Sequence, residues 1–104
     1  MIFAPNKSKS GTTAGAAAVE INHDMAERRQ YRLSAKGALW FKIVVKGGTG
    51  ASIAGDDCHY LADGKTFDVG IIPDPTGPRT RISIIRDGGS DVTGCLSEIA
   101  PVVT

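Results

Sequence analysis

The chain has 104 residues, a length that fits one domain burying roughly 60–70% of the surface its unfolded form exposes. Twelve Lys and Arg stand against eleven Asp and Glu, a formal charge of +1, which argues against a nucleic-acid binder that works by neutralising phosphates. No apolar run approaches the ~20 residues of a membrane helix, and Met1 to Ala18 lacks the ~7–15 residue apolar core of a signal peptide, so the expectation is a soluble protein made in a cytoplasm.

Residues 1–15 are rich in Gly, Ser and Thr and begin with the apolar patch Ile2-Phe3-Ala4-Pro5. This composition predicts an extended N-terminal arm with an apolar tip that docks on a partner, or else a frayed end. Residues 16–104 carry the period-two alternation of half-buried strands. Val19 and Ile21 alternate with Glu20 and Asn22. Asp24 to Gln30 has the composition of one helical turn capped by Asp24. Tyr31 and Leu33 then resume the strand pattern among Arg28, Gln30, Arg32 and Ser34. Ala38 to Lys46 is the strongest strand signal. Alternation puts Leu39, Phe41, Ile43 and Val45 on one face and Trp40, Lys42, Val44 and Lys46 on the other.

Gly47-Gly48-Thr49-Gly50 ends that strand, and short strands are expected at Ala51–Ala54 and Cys58–Ala62. Asp63-Gly64 predicts a type I′ hairpin into the alternating residues Phe67, Val69 and Ile71. Pro73 to Pro78 must be a loop, because proline lacks the ladder donor. Arg79 to Arg86 is a strand with Ile82 and Ile84 on one face and Ile85 on the other. Asp87 to Asp91 is a turn, and Val92 to Ile99 closes the series. The whole reads as an all-β, single-domain antiparallel β-sandwich or jelly roll of about seven to eight short strands, preceded by the arm.

Signals for chemistry are few. Asp56-Asp57-Cys58-His59 is the densest ligand-like cluster, but neighbours on a strand point to opposite faces, so Cys58 and His59 diverge. The Asp87–Asp91 turn lacks the twelve-residue calcium pattern ending in Glu. Gly47–Gly50 is not followed by the Lys-Ser/Thr of a phosphate loop, and no Gly-x-Ser-x-Gly occurs. The expectation is a non-enzymatic protein without metal or cofactor. Cys58 and Cys95 form either one disulfide or two buried free thiols, the latter being the usual state in a cytoplasm.

Binding signals are stronger. Trp40 lies on the lysine-bearing face, where a large aromatic is either an interface anchor, a packing residue under a loop, or a platform for a sugar. Two arginine groups, Arg28, Arg29 and Arg32, and Arg79, Arg81 and Arg86, either meet acidic surfaces of a partner or blunt strand edges. The candidate interface residues are therefore Ile2, Phe3, Trp40, Arg79 and Arg81.

From Tyr31-Arg32-Leu33 to Leu96-Ser97-Glu98-Ile99, the chain resembles small structural proteins of tailed phages, of the capsid decoration (cement) type. The resemblance rests on Ala38-Leu39-Trp40-Phe41-Lys42-Ile43, Tyr60-Leu61-Ala62-Asp63-Gly64-Lys65 and Arg81-Ile82-Ser83-Ile84-Ile85-Arg86-Asp87-Gly88. It implies a virion protein that bridges subunits of the major capsid protein, with terminal arms reaching its neighbours. A dimer or trimer is expected, with neither nucleic acid nor membrane as partner. The alternative expectation is a carbohydrate- or receptor-binding β-sandwich module.

Overall fold

The computed structural model describes residues 2–25, 30–45, 47–70 and 81–100, with the side chains of 2–7 and 100 outside the description. Eight strands occupy these residues: β1 (Ile2–Thr12), β2 (Val19–Ile21), β3 (Gln30–Lys36), β4 (Leu39–Val44), β5 (His59–Leu61), β6 (Thr66–Gly70), β7 (Arg81–Arg86) and β8 (Thr93–Ala100). They form two four-stranded sheets, β1-β8-β3-β6 (sheet A) and β2-β7-β4-β5 (sheet B), with every pairing antiparallel.

The pairings are nested: β1 with β8, β2 with β7, β3 with β6 and β4 with β5. The chain is thus one long hairpin, doubled at the β4–β5 connection and rolled so that successive pairs fall in alternate sheets. Lateral pairing of β8 with β3 and of β7 with β4 closes each sheet. This is the strand order of a jelly roll.

Alternation explains the core. Tyr31, Leu33 and Ala35 of β3 and Leu96 of β8 face Leu39 and Phe41 of β4, Ile82 and Ile84 of β7 and Ile21 of β2, all of them buried. Size is matched between the sheets. Gly11, Gly94 and Ala35 form one row across β1, β8 and β3. A methyl group at Gly94 would stand 3.1 Å from Ile84 Cδ1 and 3.3 Å from Ile21 Cδ1, so the small row makes room for the isoleucines of sheet B.

The segment expected as an arm is an edge strand of sheet A. Ser8 to Thr12 run in register with Ser97 to Thr93, and the register shifts between Phe3 and Ser8. Pro5 lies within that irregularity, where a missing ladder donor does least harm.

Three local expectations need correction. The Leu39/Phe41/Ile43 face does not extend to Val45: Val44 is buried and Val45 is 44% exposed. The chain leaves the sheet there, since Gly48 N–H donates to the Val45 carbonyl and turns it. No strand forms at 51–54, where Ala54 takes a φ of 52° and Gly55 N–H donates to the Ser52 carbonyl.

The Asp63-Gly64 turn, thirdly, does not close a two-stranded hairpin. It carries the chain from β5 in sheet B to β6 in sheet A. Of its two central residues only Gly64 has positive φ (76°), as in a type II rather than a type I′ turn. Ala35 captures it, accepting from Gly64 N–H and donating to the Lys65 carbonyl, while Asp63 accepts from Gly37 N–H. These bonds steer β6 onto β3. The helical turn expected after Asp24 falls mostly on 26–29, outside the described residues. The Pro73–Pro78 loop lies outside them too.

Candidate functional site

The outer face of sheet B is the most distinctive surface. Register places Trp40 of β4 between Tyr60 of β5 and Ile85 of β7. All three point away from the core because they alternate with Phe41, Leu61 and Ile84. The Trp40 and Tyr60 rings lie 5.4 Å apart, tilted by 60°, and Tyr60 is 51% exposed. Trp40 Nε1 donates to Asp87 Oδ1 at 2.8 Å. Asp87 is fixed in turn, its N–H donating to the Ala38 carbonyl. The indole is therefore oriented, with its polar edge satisfied.

Beyond this aromatic pair, the β4–β5 connection folds over the same face. Gly47 N–H donates to the Glu20 carboxylate, and Ala51 N–H donates to Ser83 Oγ at 3.0 Å. Ser83 is buried beneath it. The loop covers the middle of the face and leaves the Trp40–Tyr60 end open.

The other expected interface residues fare differently. Arg81 is buried instead of reaching outward. Its Nε donates to Asp24 Oδ1 at 2.6 Å and its Nη1 to Asn22 Oδ1 at 2.8 Å. It holds the segment after β2 against the start of β7. Ile2 and Phe3 belong to the backbone of β1, with side chains outside the described part, and Arg79, like Arg28 and Arg29, lies outside the described residues. Arg86 donates to Asp91 at 3.2 Å and to the Gly89 carbonyl, bracing the turn between β7 and β8.

The outer face of sheet A is polar. Ser8 and Ser97 hydroxyls are 3.0 Å apart, Thr12 and Thr93 hydroxyls 2.9 Å, and Cys95 Sγ sits 3.3 Å from Ser8. Arg32 and Asp68 form a two-point ion pair across β3 and β6, at 2.7 and 3.0 Å. The hydrogen bonds from the guanidinium hold the Asp68 carboxyl below the usual carboxylate range, and the same contact raises Arg32.

Cys58 and Cys95 are free thiols, each partly exposed rather than buried. Cys58 turns back to the Ser52 N–H and the Asp56 carbonyl, while the His59 ring packs against Phe41 and Phe67. Adjacent in sequence, these two side chains part company as strand alternation requires.

Sequence reasoning missed Tyr60 and Phe67 as surface aromatics. Tyr60 gains its meaning from the β4–β5 register, which sets it beside Trp40. Phe67 shares the alternation of Val69, which predicts a common face, yet it is 44% exposed while Val69 is buried, because β6 is the last strand of its sheet among the described residues.

No family model and no curated protein matches this sequence. A de novo designed double-stranded β-helix, determined in solution by NMR, is similar in structure, with a TM-score of 0.59. The likeness covers 89% of this chain and 99% of that one at 14% identity, a level that speaks to the fold alone.

Proposed function

We propose that this protein is a non-enzymatic virion component that decorates a tailed-phage capsid and stabilises it by bridging subunits of the major capsid protein. One observation supports the reading: the jelly roll offers two separate contact surfaces, the outer edge of β1 on sheet A, with which no strand pairs among the described residues, and the Trp40–Tyr60 end of the outer face of sheet B. A bridge needs two such surfaces on a stiff base. An exposed strand edge accepts an added strand, and a fixed aromatic pair makes an anchor.

The mechanism is linkage. A protein that binds the assembled shell but not its separated subunits stabilises the shell by about 2.7 kcal/mol when present at 100 times its Kd. The test is to mix the purified protein with expanded tailed-phage capsids, then measure co-sedimentation and the temperature of shell disruption. Binding and a raised disruption temperature are expected. Failure of the folded protein to bind any such shell overturns the reading.

The oriented Trp40 ring beside Tyr60 and Asp87 favours a second reading, recognition of a saccharide by ring stacking and hydrogen bonding. On that reading Trp40→Ala abolishes binding on a glycan array while the circular dichroism of the fold is unchanged. An array with no binder of the parent protein rules it out.

A further inference from the structure

We propose that β6 is the seam of a homodimer, pairing antiparallel with β6 of a second copy about a two-fold axis that passes at Phe67. The inference is independent of the capsid reading.

Among the described residues no strand pairs with the outer edge of β6, which runs in unbroken register with β3 along Thr66–Gly70. Proteins guard such edges with proline, charged side chains, bulges or very short strands. β6 is short but has neither proline nor bulge, and its one charge, Asp68, is taken up by Arg32 on the neighbouring strand. It also carries Phe67, 44% exposed, whose ring leans on Phe41 at 5.1 Å and lies nearly parallel to His59 at 6.2 Å. The ring sits on the side facing sheet B, at the open flank of the sandwich.

Backbone geometry states which groups are free. The Lys65 carbonyl accepts from Ala35 N–H of β3 at 3.0 Å. Peptide planarity then points the Thr66 N–H the opposite way, out of the sheet. Alternation turns Phe67 and Val69 back toward β3 and leaves Thr66, Asp68 and Gly70 with outward donors and acceptors.

Charge excludes one register, and the exposed aromatic ring marks another. A two-fold at Asp68 would set two carboxylates directly opposite, which destabilises an antiparallel pair. A two-fold at Phe67 sets Thr66 opposite the second copy's Asp68, and Asp68 opposite its Thr66. Those are the hydrogen-bonded positions, so the outward N–H and C=O of both residues are satisfied, and the two-fold repeats the pair. The hydroxyl also lies beside a carboxylate that Arg32 already holds on the same face. Between them the two Phe67 residues meet as the close, non-hydrogen-bonded pair. The edge is complementary to itself, which is the requirement of a two-fold interface.

Sedimentation equilibrium on the full chain tests this. The expected result is a monomer–dimer equilibrium whose dimer fraction rises with concentration up to about 1 mM. Phe67→Lys places a charge on the axis. Thr66→Pro removes an N–H that serves only the seam. Each is expected to give a monomer with the circular dichroism of the parent, and should the first fail to fold, the second decides. A parent that stays monomeric throughout, a trimer, or a dimer that survives the folded variants overturns the proposal.

Discussion

Thr13 shows how much one hydroxyl can hold. It is buried between β1 and β2, its N–H donates to the Val92 carbonyl, and its Oγ1 accepts from Val92 N–H at 2.9 Å. The same hydroxyl donates to Asp91 at 3.4 Å, and that carboxylate also takes Gly15 N–H and Arg86. Thr13→Val keeps the shape but strands a buried N–H, so a loss of about 1–3 kcal/mol is expected in urea unfolding, with Thr13→Ser close to the parent. The Arg32–Asp68 pair is a different case, because it is half exposed and screened by salt. Asp68 titrates lower in the folded chain than in the unfolded one. Its contribution is therefore complete above the ordinary carboxylate range and disappears as pH falls through the depressed value. A carboxyl NMR titration should find Asp68 below the ordinary carboxylate range, and Arg32→Gln should return it toward that range; an Asp68 that already titrates normally contradicts this. Neither Thr13 nor the register that joins Arg32 to Asp68 was legible in the sequence, since both depend on partners far along the chain.

Strands were legible where a clean alternation met the core. Tyr31, Leu33 and Ala35, or Leu39 and Phe41, declare a buried face, and the structure buries them. The pattern failed where an element ended or lay at an edge, at Val45 and at Phe67, because alternation describes a strand covered on one side and bounded on both. It also failed at Asp63-Gly64, where the local turn signal was real but Ala35 and Gly37 decided which sheet the chain entered next. Gly37 shares in this: with φ at 100° and Val92 Cγ1 only 2.5 Å from where a Cβ would lie, only glycine serves at that crossing. Gly94 makes the matching point for packing. Gly94→Val drives a branched side chain into Ile84 and Ile21, and overpacking of this kind should cost about 1–3 kcal/mol by thermal unfolding; a neutral result means that the sheets are free to separate.

At the scale of the molecule, the all-β class could be read from the chain, whereas the sheet order could not, and the expected count of strands comes close only because a strand expected at 51–54 is absent while β1, expected as an arm, is a strand. Eight alternating segments are compatible with many sandwiches, and only long-range pairing selects this one. The same lack of local information explains why Trp40 was recognisable as an unusual residue while its companion Tyr60 was not. Interface reasoning from residue type alone also misjudged Arg81, whose charge answers Asp24 and Asn22 within the chain.

The nested pairing has a kinetic consequence. Joining β4 to β5 closes the shortest loop, whereas joining β1 to β8 brings together residues such as Ser8 and Ser97, separated by 89 positions. Each outer pair becomes cheap to close only after the pair inside it has formed, because loop-closure entropy grows with the length still free. Folding should therefore run like a zip from the Trp40–Tyr60 end outward and take milliseconds to seconds, as non-local β topologies do. In stopped-flow experiments, Tyr60→Ala should mainly slow folding and Thr12→Ala should mainly hasten unfolding. β1 would then be the last strand to arrive and the first to leave, so of the two edges of sheet A the one proposed to meet the capsid opens more readily than β6.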